Sequence, residues 1–272
     1  MKNNDYRLLV VDIDGTLMGK DRTISDEDRE ALAKVGELGI QVSLSTGRAT
    51  IACLSIISRL SLDGYHIFFD GALVANPETG EEVYVQPISP EVVKQAIEFA
   101  HSNDINFELY SATHYLVERE TSWVAYRRFF GIEPTVADFS EVWKRERIIK
   151  GGLLVQSPQE AEKVGHFQRY FDGRLQLSWA RTPAFPGVDF INVLAPAVSK
   201  GKALEALASY LGIPLAQVIA IGDGTNDIPL LSMAGLSVAM GNAPDEVKAV
   251  ADYVTLDIDH SGVAAAIERF LL

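Results

Sequence analysis

Short apolar runs alternate with amphipathic segments in the N-terminal part of the chain. Residues Leu8–Val11 form an apolar run that ends at Asp12, which is the pattern of a strand buried on both faces of a parallel sheet. Further on, Ser25 and Asp28 have the spacing of a helix cap, and apolar residues then recur at helical spacing at Ala31, Leu32, Val35 and Leu38. The pattern therefore predicts a β-strand followed by an α-helix.

The same alternation continues and returns near the C-terminus. We predict strands at Ile40–Leu44, Ile67–Phe69, Phe190–Leu194, Val218–Ile221 and Leu236–Ala239. We predict helices at Ile51–Leu60, Lys200–Leu211, Asp227–Ala234 and Val263–Phe270. Alternating strands and helices favour a parallel sheet with right-handed crossovers. The fold class is therefore α/β, with a Rossmann-like parallel-sheet core domain.

Residues 83–186 have a different character from the segments on either side. Hairpin-like and helical segments mix there, and the segment contains Trp123, Trp143 and Trp179. Turn-forming residues flank it at 76–80 and 183–187, as expected where a chain crosses between domains. We expect a core of residues 1–82 and 187–272 and an inserted α+β cap domain of residues 83–186. Five basic residues of the insert could contact a substrate, and we expect most of them to be solvated: Arg119, Arg127, Arg128, Lys150 and Arg181.

The net charge of the chain limits the kinds of molecule that it can bind. The 272 residues carry a formal net charge of −13, with 37 acidic against 24 basic residues and no block rich in lysine or arginine. Such a chain is a poor partner for nucleic acid or for an anionic membrane surface. The same field would repel a phosphorylated ligand. Phosphate chemistry would therefore require a bound cation or a local basic pocket.

The cysteine content and the hydropathy of the chain indicate the cellular compartment in which the protein is expected. Cys53 is the single cysteine, so no intrachain disulfide can form, and its apolar neighbours favour a small buried side chain over a reactive thiol. No apolar run in the sequence reaches the ~18 residues of a membrane-spanning helix. We therefore expect a cytoplasmic protein with no membrane partner.

Two carboxylates stand at the end of the first predicted strand. Asp12 and Asp14 are two residues apart in an extended segment, so both side chains can face one pocket, and Gly15 lets the chain turn away. Two like charges held together are unfavourable unless a cation lies between them or one is protonated. The pair therefore suits a nucleophile beside a general acid.

A second acidic segment follows the predicted strand Val218–Ile221. It reads Gly222-Asp223-Gly224-Thr225-Asn226-Asp227 and offers carboxylate and amide oxygens, which are the hard ligands that Mg²⁺ prefers. Ligands of an open α/β fold gather outside the carboxyl ends of the strands, so Asp223 and Asp12 are expected at one edge of the sheet. The sequence therefore predicts a Mg²⁺ site there.

Two further segments can bind an anion at the same edge. Thr46, Gly47 and Arg48 follow the predicted strand Ile40–Leu44 and precede a predicted helix. The Thr46 hydroxyl, the N–H groups around Gly47 and the helix N-terminus together suit an anion. Lys200, at the start of another predicted helix, adds an ammonium group suited to phosphate.

These groups together predict phosphoryl transfer, in which a protein mainly positions groups and neutralises charge. Asp12 would attack phosphorus to give an aspartyl phosphate, and Asp14 would serve as general acid and then as general base. Mg²⁺ would be bound by Asp12, Asp223 and the backbone carbonyl of Asp14. The phosphoryl oxygens would be held by Thr46, Gly47 and Lys200. Supporting residues would be Arg48, Asn226 and Asp227.

The four segments resemble the motifs of the haloacid dehalogenase superfamily of phosphatases, in particular the Cof-type branch with a large α+β cap. They stand in family order as Asp12–Thr16, Thr46–Arg48, Lys200–Gly201 and Gly222–Asp227. The insert lies between the second and third motifs, where that branch has its cap, so the resemblance covers the whole chain. It implies a Mg²⁺-dependent phosphomonoester hydrolase that acts on a small phosphorylated metabolite, such as a sugar phosphate or a nucleotide. It also implies that the cap determines substrate specificity.

Two positions depart from the pattern of that branch. The chain has Asp70-Gly71-Ala72 where the branch usually has Asn-Gly-Ala, and Asn192 where it usually has glutamate. Neither departure falls in the four motifs. The added negative charge at Asp70 bears on substrate choice or on packing around the metal site.

Other classes of protein use similar groups. A signalling receiver domain also surrounds a phosphorylated aspartate with acidic residues, a hydroxyl, a lysine and Mg²⁺, but Asp14 supplies an acid/base group that a receiver lacks at that position. A phosphosugar mutase shares the nucleophile and the acid/base pair and is the alternative enzyme. A non-catalytic phosphoacceptor or phosphometabolite-binding protein is a further alternative.

Overall fold

A computed structural model describes residues 6–181 and 185–272. The β-strands of this part are β1 (Leu8–Asp12), β2 (Gln41–Ser45), β3 (His66–Phe68), β4 (Leu73–Ala75), β5 (Glu82–Val85), β6 (Glu108–Tyr110), β7 (Tyr115–Val117), β8 (Pro134–Val136), β9 (Lys150–Val155), β10 (Gln176–Arg181), β11 (Asp189–Leu194), β12 (Val218–Gly222), β13 (Leu236–Ala239) and β14 (Tyr253–Val254). The α-helices are α1 (Asp26–Glu37), α2 (Leu54–Arg59), α3 (Pro90–Ser102), α4 (Val124–Phe129), α5 (Phe139–Arg145), α6 (Pro158–Tyr170), α7 (Lys200–Leu211), α8 (Ile228–Met233), α9 (Asp245–Lys248) and α10 (Gly262–Phe270). Short 3₁₀ helices lie at Thr50–Ala52, Phe69–Gly71, Leu215–Gln217, Thr225–Asp227 and Ile258–His260.

The described residues form two compact units. The first, here the core unit, consists of residues 6–48, 53–84 and 199–272, and the second, the insert unit, consists of the described residues of 49–52 and 85–198. Within these described residues, no helix combines the length and apolarity needed to cross a bilayer.

The core unit contains an eight-stranded sheet in the order β14-β13-β12-β1-β2-β3-β4-β5. Neighbouring strands from β14 to β3 run parallel, whereas β3 and β4 are antiparallel. All five residues of β1 are buried, which explains its uninterrupted apolar run, because a central parallel strand is covered on both faces. The predicted α/β class with a parallel-sheet core is confirmed.

Side chains at the helix ends explain where the helices of the core unit begin and stop. The Ser25 hydroxyl accepts a hydrogen bond from the Asp28 N–H at the start of α1, and the Ser199 hydroxyl does the same for Lys202 at the start of α7. Helix α7 ends at Gly212, which has a left-handed backbone (φ 64°) that suits glycine. The bounds of α7 agree with the prediction from sequence.

The helix predicted at Ile51–Leu60 is broken in the structure. A 3₁₀ turn occupies Thr50–Ala52, and the α-helix begins only at Leu54. Cys53 is the N-cap residue of this helix, and its side chain makes no hydrogen bond to the first turn. The α-helix N-terminus expected at Ile51 therefore lies at Leu54.

The insert unit contains a six-stranded sheet in the order β10-β11-β9-β6-β7-β8. Its neighbouring strands are antiparallel except for the parallel pair β7 and β8. Phe99 of α3 makes edge contacts with Phe167 and Phe171, so aromatic side chains of α3 and the α6 region pack together in this unit.

Strand β11 corrects the prediction that residues 187–272 all belong to the core. It pairs with β10 and β9 in the sheet of the insert unit, and residues up to Val198 belong to that unit. The predicted strand Phe190–Leu194 therefore exists, but it lies in the other sheet. An apolar strand pattern identifies a strand and does not say which sheet it joins.

Candidate active site

The first predicted segment, Asp12–Thr16, begins at the carboxyl end of a central strand of the core sheet. Strand β1 lies between β12 and β2, so its carboxyl end meets the carboxyl ends of two parallel neighbours. Asp12 is the last residue of β1, pairs with Ser45 in β2 and is 5% exposed. Its carboxylate therefore stands at the edge where the loops after β2 and β12 begin.

Lys200 is the buried cation of this edge. Its Nζ donates to Asp12 Oδ1 and to Asp227 Oδ1, both at 2.6 Å, and its side chain is fully buried. Burial alone would lower the pKa of Lys200, but the charges of Asp12 and Asp227 outweigh burial and raise it. Burial and the neighbouring Asp227 raise the pKa of Asp12 well above its usual value, while Lys200 opposes that shift. The three groups thus form a buried cluster with an excess of negative charge.

Asp227 also organises the loop after β12. Its Oδ2 accepts hydrogen bonds from the N–H groups of Asp223 (3.1 Å) and Gly224 (2.9 Å), while its Oδ1 takes the Lys200 ammonium. Both carboxylate oxygens of Asp227 therefore already contact N–H donors. The sequence predicted a supporting role for this residue, and the contacts show what it supports, namely the loop that presents Asp223.

Asp223 is oriented by groups that the sequence analysis missed. Thr16 Oγ1 donates to Asp223 Oδ1 at 2.9 Å, and Asn242 Nδ2 donates to the Gly15 carbonyl at 2.8 Å, with Asp223 Oδ2 3.4 Å away. A side-chain carbon at Gly15 would lie 2.2 Å from Asp223 Oδ2, so the close approach of these loops requires glycine. Asn242 could have been noticed, because it follows β13 at the same edge of the sheet.

The acidic residues offer a donor set that fits a divalent cation. Oxygen atoms of Asp12, Asp223 and Asp227 lie within 4.8 Å of one another. Burial, followed by the charge of Asp227, raises the pKa of Asp223 to about 6, which is the expected response of carboxylates crowded without enough positive charge. Carboxylate oxygens are the ligands that Mg²⁺ prefers, so the residues present fit that ion.

Asp14 faces a different cation from Asp12. Arg48 Nε donates to Asp14 Oδ2 at 2.8 Å and Arg48 Nη2 donates to Asp14 Oδ1 at 2.5 Å, a bidentate pair of defined geometry. The Asp14 side chain is 57% exposed, whereas that of Arg48 is 14% exposed. The carboxylate of Asp14 is therefore held beside the buried cluster and remains accessible to solvent. The sequence predicts a supporting role for Arg48, and its partner is Asp14.

The Thr46–Arg48 segment lies between two neighbouring strands of the sheet. Thr46 is 1% exposed, and its N–H donates to the Ile67 carbonyl at 2.9 Å. Its hydroxyl oxygen accepts the Arg48 N–H at 3.1 Å, so part of its bonding capacity serves the local turn. Asn226, the remaining predicted residue, donates from Nδ2 to Asp70 Oδ1 at 3.0 Å. All predicted site residues thus lie in the core unit, around the carboxyl ends of β1, β2 and β12.

Comparison with known proteins agrees with this arrangement. The sequence profile of the haloacid dehalogenase-like hydrolases matches residues 9–267. The chain is 29% identical to phosphatase YwpJ of Bacillus subtilis, over 97% of this chain and 100% of YwpJ. It is 28% identical to the 5-amino-6-(5-phospho-D-ribitylamino)uracil phosphatase YwtE of the same organism, over 97% of this chain and 98% of YwtE.

A solved structure extends the comparison to the whole fold. The subclass IIB sugar phosphatase BT4131 superimposes with a TM-score of 0.77 at 28% sequence identity, covering 97% of this chain and 98% of BT4131. The agreement covers the core sheet and the insert in one chain.

Proposed function

The chain belongs to the haloacid dehalogenase-like hydrolase family and is a phosphatase for small phosphorylated substrates, and we propose that it cleaves a phosphomonoester in two steps with Asp12 as nucleophile. The observation that carries this proposal is the buried Asp12 carboxylate, which is held by Lys200 at 2.6 Å at the central strand end. A carboxylate positioned and partly neutralised in this way can approach an anionic phosphoryl group.

The first step forms the bond between Asp12 and phosphorus. A carboxylate oxygen of Asp12 attacks as the bond from phosphorus to the ester oxygen breaks, and the product is an aspartyl phosphate. Asp14 gives its proton to the departing oxygen. The bidentate contact with Arg48 holds the Asp14 carboxyl group in place, and because that pair favours the ionised form, Asp14 takes up the proton that it donates when the pair opens.

The second step releases phosphate. Asp14, now a carboxylate, takes a proton from a water molecule whose oxygen bonds to phosphorus as the bond to Asp12 breaks. Thr46, Gly47 and Lys200 would contact the phosphoryl oxygens in both steps. The buried position of Lys200 lets it balance the charge of Asp12 and of the phosphoryl group.

The acidic residues also suggest how the cofactor is held. Asp12 and Asp223, with the backbone carbonyl of Asp14, would bind Mg²⁺, while Asp227 holds the loop of Asp223. When bound, Mg²⁺ supplies positive charge that offsets repulsion between the carboxylates and the phosphoryl group.

The substrate is proposed to be a small phosphorylated metabolite, such as a sugar phosphate or a nucleotide. Two relatives support this class: YwtE is a phosphatase of a phosphorylated ribitylaminouracil, and BT4131 is a sugar phosphatase.

Phosphate release from a panel of phosphorylated metabolites, with and without Mg²⁺, tests the proposal. Asp12→Asn should lower turnover by at least about 10⁴-fold, because it removes the nucleophile. Asp14→Asn should lower turnover by at least about 10²-fold, because it removes the acid/base group. Chelation of the divalent cation should abolish phosphate release.

Asp172→Asn is the matched control, since Asp172 is exposed in the insert unit and the change alters net charge equally. It should keep wild-type turnover. Full turnover in Asp12→Asn would rule out the assigned nucleophile. Isomerised sugar phosphate formed without free phosphate would identify a mutase instead.

A further inference from the structure

Asp70 is a buried carboxylate that the proposed chemistry does not use. It lies in the 3₁₀ turn after β3, is 7% exposed and has a left-handed backbone (φ 55°, ψ 25°). The turn is packed tightly, because a side-chain carbon at Gly71 would lie 2.3 Å from the Ser199 carbonyl oxygen. Asp70 is thus fixed against the start of α7, the helix that begins with Lys200.

Two predicted site segments meet at Asp70. Its N–H donates to the Thr46 carbonyl at 3.0 Å, and its Oδ1 accepts the Asn226 Nδ2 at 3.0 Å. A side-chain carbon at Gly47 would lie 2.7 Å from Asp70 Oδ1, so the carboxylate packs directly against the Gly47 backbone. One carboxylate therefore joins the proposed phosphate-binding segment to the loop of Asn226.

Asp70 also adds to an unbalanced local charge. The carboxylates around the site are those of Asp12, Asp14, Asp70, Asp223 and Asp227, and the cations are Lys200 and Arg48. The charge of Asp70 is felt at Lys200, whose pKa it helps to raise. A phosphate dianion bound beside Gly47 would therefore experience the Asp70 charge through a region with little water to screen it.

We propose that Asp70 sets the affinity of the site for phosphate: its carboxylate anchors Gly47 and Asn226, and its negative charge weakens the binding of inorganic phosphate and so speeds product release. Asp70 is a positioning residue in this scheme, because it acts through Gly47, Asn226 and the local field. The inference rests on the proposed function, since it assumes that phosphate binds beside Thr46 and Gly47.

Asp70→Asn separates the effect of the negative charge from the effect of the contacts with Gly47 and Asn226. Asparagine keeps an Oδ1 acceptor for Asn226 and tolerates the left-handed backbone, so it removes the charge and replaces Oδ2 by an amide donor. The dissociation constant for inorganic phosphate, measured by calorimetry with Mg²⁺ present, should fall about tenfold. The KM of a cleaved substrate should fall in parallel, and kcat should fall if phosphate release limits turnover.

A second variant tests the anchor. Asp70→Gly keeps the backbone conformation but removes both charge and acceptor, so phosphate should bind more weakly than to Asp70→Asn. Asp172→Asn, with the same change in net charge at an exposed position, should leave the dissociation constant within about twofold. The difference between Asp70→Asn and wild type should persist at high salt, because buried charges are screened less than exposed ones.

Each result decides a stated part of the inference. Unchanged or weaker phosphate binding by Asp70→Asn overturns the role of the charge, and equal affinity of the Gly and Asn variants overturns the anchor. Hydrolysis by the wild-type protein, compared with Asp12→Asn, is measured separately, so failure of the proposed function is distinguishable from failure of this inference.

Discussion

The buried charges around Lys200 in the core unit differ in balance from those around Glu108 in the insert unit. In the first group, Asp12 and Asp227 share one ammonium, with Asp223 close by. In the second, Glu108 is 1% exposed and faces the guanidinium of Arg127, whose Nε and Nη2 donate to Oε2 at 2.9 and 2.8 Å. Both groups remove charge from water, which is unfavourable unless partners compensate for it.

A neutral donor completes the hydrogen bonding of Glu108 alongside the arginine. Tyr115 Oη donates to Glu108 Oε1 at 2.6 Å, so each carboxylate oxygen has a strong partner. The Arg127 guanidinium also lies 5.1 Å from the centre of the Phe190 ring and 5.8 Å from that of Tyr110. One carboxylate and one guanidinium thus balance each other inside a cage of aromatic rings.

The difference suggests how to tell a structural buried cluster from a reactive one. In the Glu108 group the one carboxylate is paired with Arg127, and Lys150 is a second buried cation 5.1 Å from the centre of the Tyr110 ring, so the group has little to gain from a bound cation. The group around Lys200 holds more carboxylates than cations, and burial together with the charge of Asp227 raises the pKa of Asp223. That excess of negative charge favours a divalent cation and is typical of functional sites.

Removing the shared cation should have the largest effect of the changes that test this comparison. Lys200→Met leaves Asp12 and Asp227 buried without their ammonium, so phosphate release should fall by about 10³-fold. The core unit should also lose about 3–5 kcal/mol of stability, because removing one partner exposes the cost of the buried charges. Phosphate-release assays and thermal unfolding followed by circular dichroism measure the two effects.

Lys202→Met is the matched control for Lys200→Met, because Lys202 lies on the same helix and is exposed. It should change neither turnover nor stability appreciably. Added Mg²⁺ should restore more stability to Lys200→Met than to the wild type, since a dication can neutralise the same carboxylates. Turnover within tenfold of wild type in Lys200→Met would contradict the role given to this cation.

Removing the cation from the Glu108 group should lower the stability of the insert unit and leave the chemistry of the core unit intact. Arg127→Met leaves Glu108 buried without its cation and should destabilise the insert unit by about 3–5 kcal/mol. The tryptophans Trp123, Trp143 and Trp179 all belong to this unit, so fluorescence during urea unfolding reports on it. The affinity for Mg²⁺ should not change, because its proposed ligands lie in the core unit.

An adjacent arginine provides the control for that measurement. Arg128 is exposed and pairs with Glu120 and Glu133, so Arg128→Met should cost less than about 1 kcal/mol. Combining Arg127→Met with Glu108→Gln should recover part of the loss, because the unpaired charge is removed. Equal destabilisation by Arg127→Met and Arg128→Met would show that the buried pair has no special weight.

Features set by local sequence could be predicted, and features set by distant partners could not. The bounds of α7 follow from the Ser199 cap and Gly212, and β1 follows from its apolar run. The sheet that receives β11 depends on β9 and β10, which the local pattern of β11 does not specify. Arg127 and Lys150 belong to the basic residues of the insert of which most are expected in solvent, but both are buried. The burial of Arg127 depends on Glu108, which lies 19 positions away.

In the candidate site, too, some features could be predicted from the sequence and others could not. The rule that parallel strand ends converge brought Asp12, Thr46 and Asp223 to one edge from sequence alone. The bonds that hold them depend on distances between separate loops, such as Asn242 to the Gly15 carbonyl across 227 positions. Sequence reasoning therefore found the groups at this edge and missed the contacts that orient them.

His66 offers a smaller test, because it is a buried polar group with no charged hydrogen-bond partner. Its Nδ1 accepts the Leu44 N–H at 3.1 Å, and no partner for Nε2 is found among the described residues. Burial lowers the pKa of His66 to about 4, with only a weak opposing effect from Asp63. Protonation is therefore easier in the unfolded chain, where the pKa is about 6.5.

The stability contributed by neutral His66 is complete above pH ~6.5 and is lost as the pH falls toward 4, because the unfolded chain takes up the proton first. Between pH 7 and pH 5 the wild type should lose about 2 kcal/mol through this group. In His66→Asn, whose amide oxygen can still accept the Leu44 N–H, that part of the loss should vanish. Urea unfolding followed by circular dichroism at both pH values gives the difference, and comparing each protein with itself cancels the cavity left by the smaller side chain. An equal loss in both proteins would mean that His66 is not buried as a neutral ring in the folded chain.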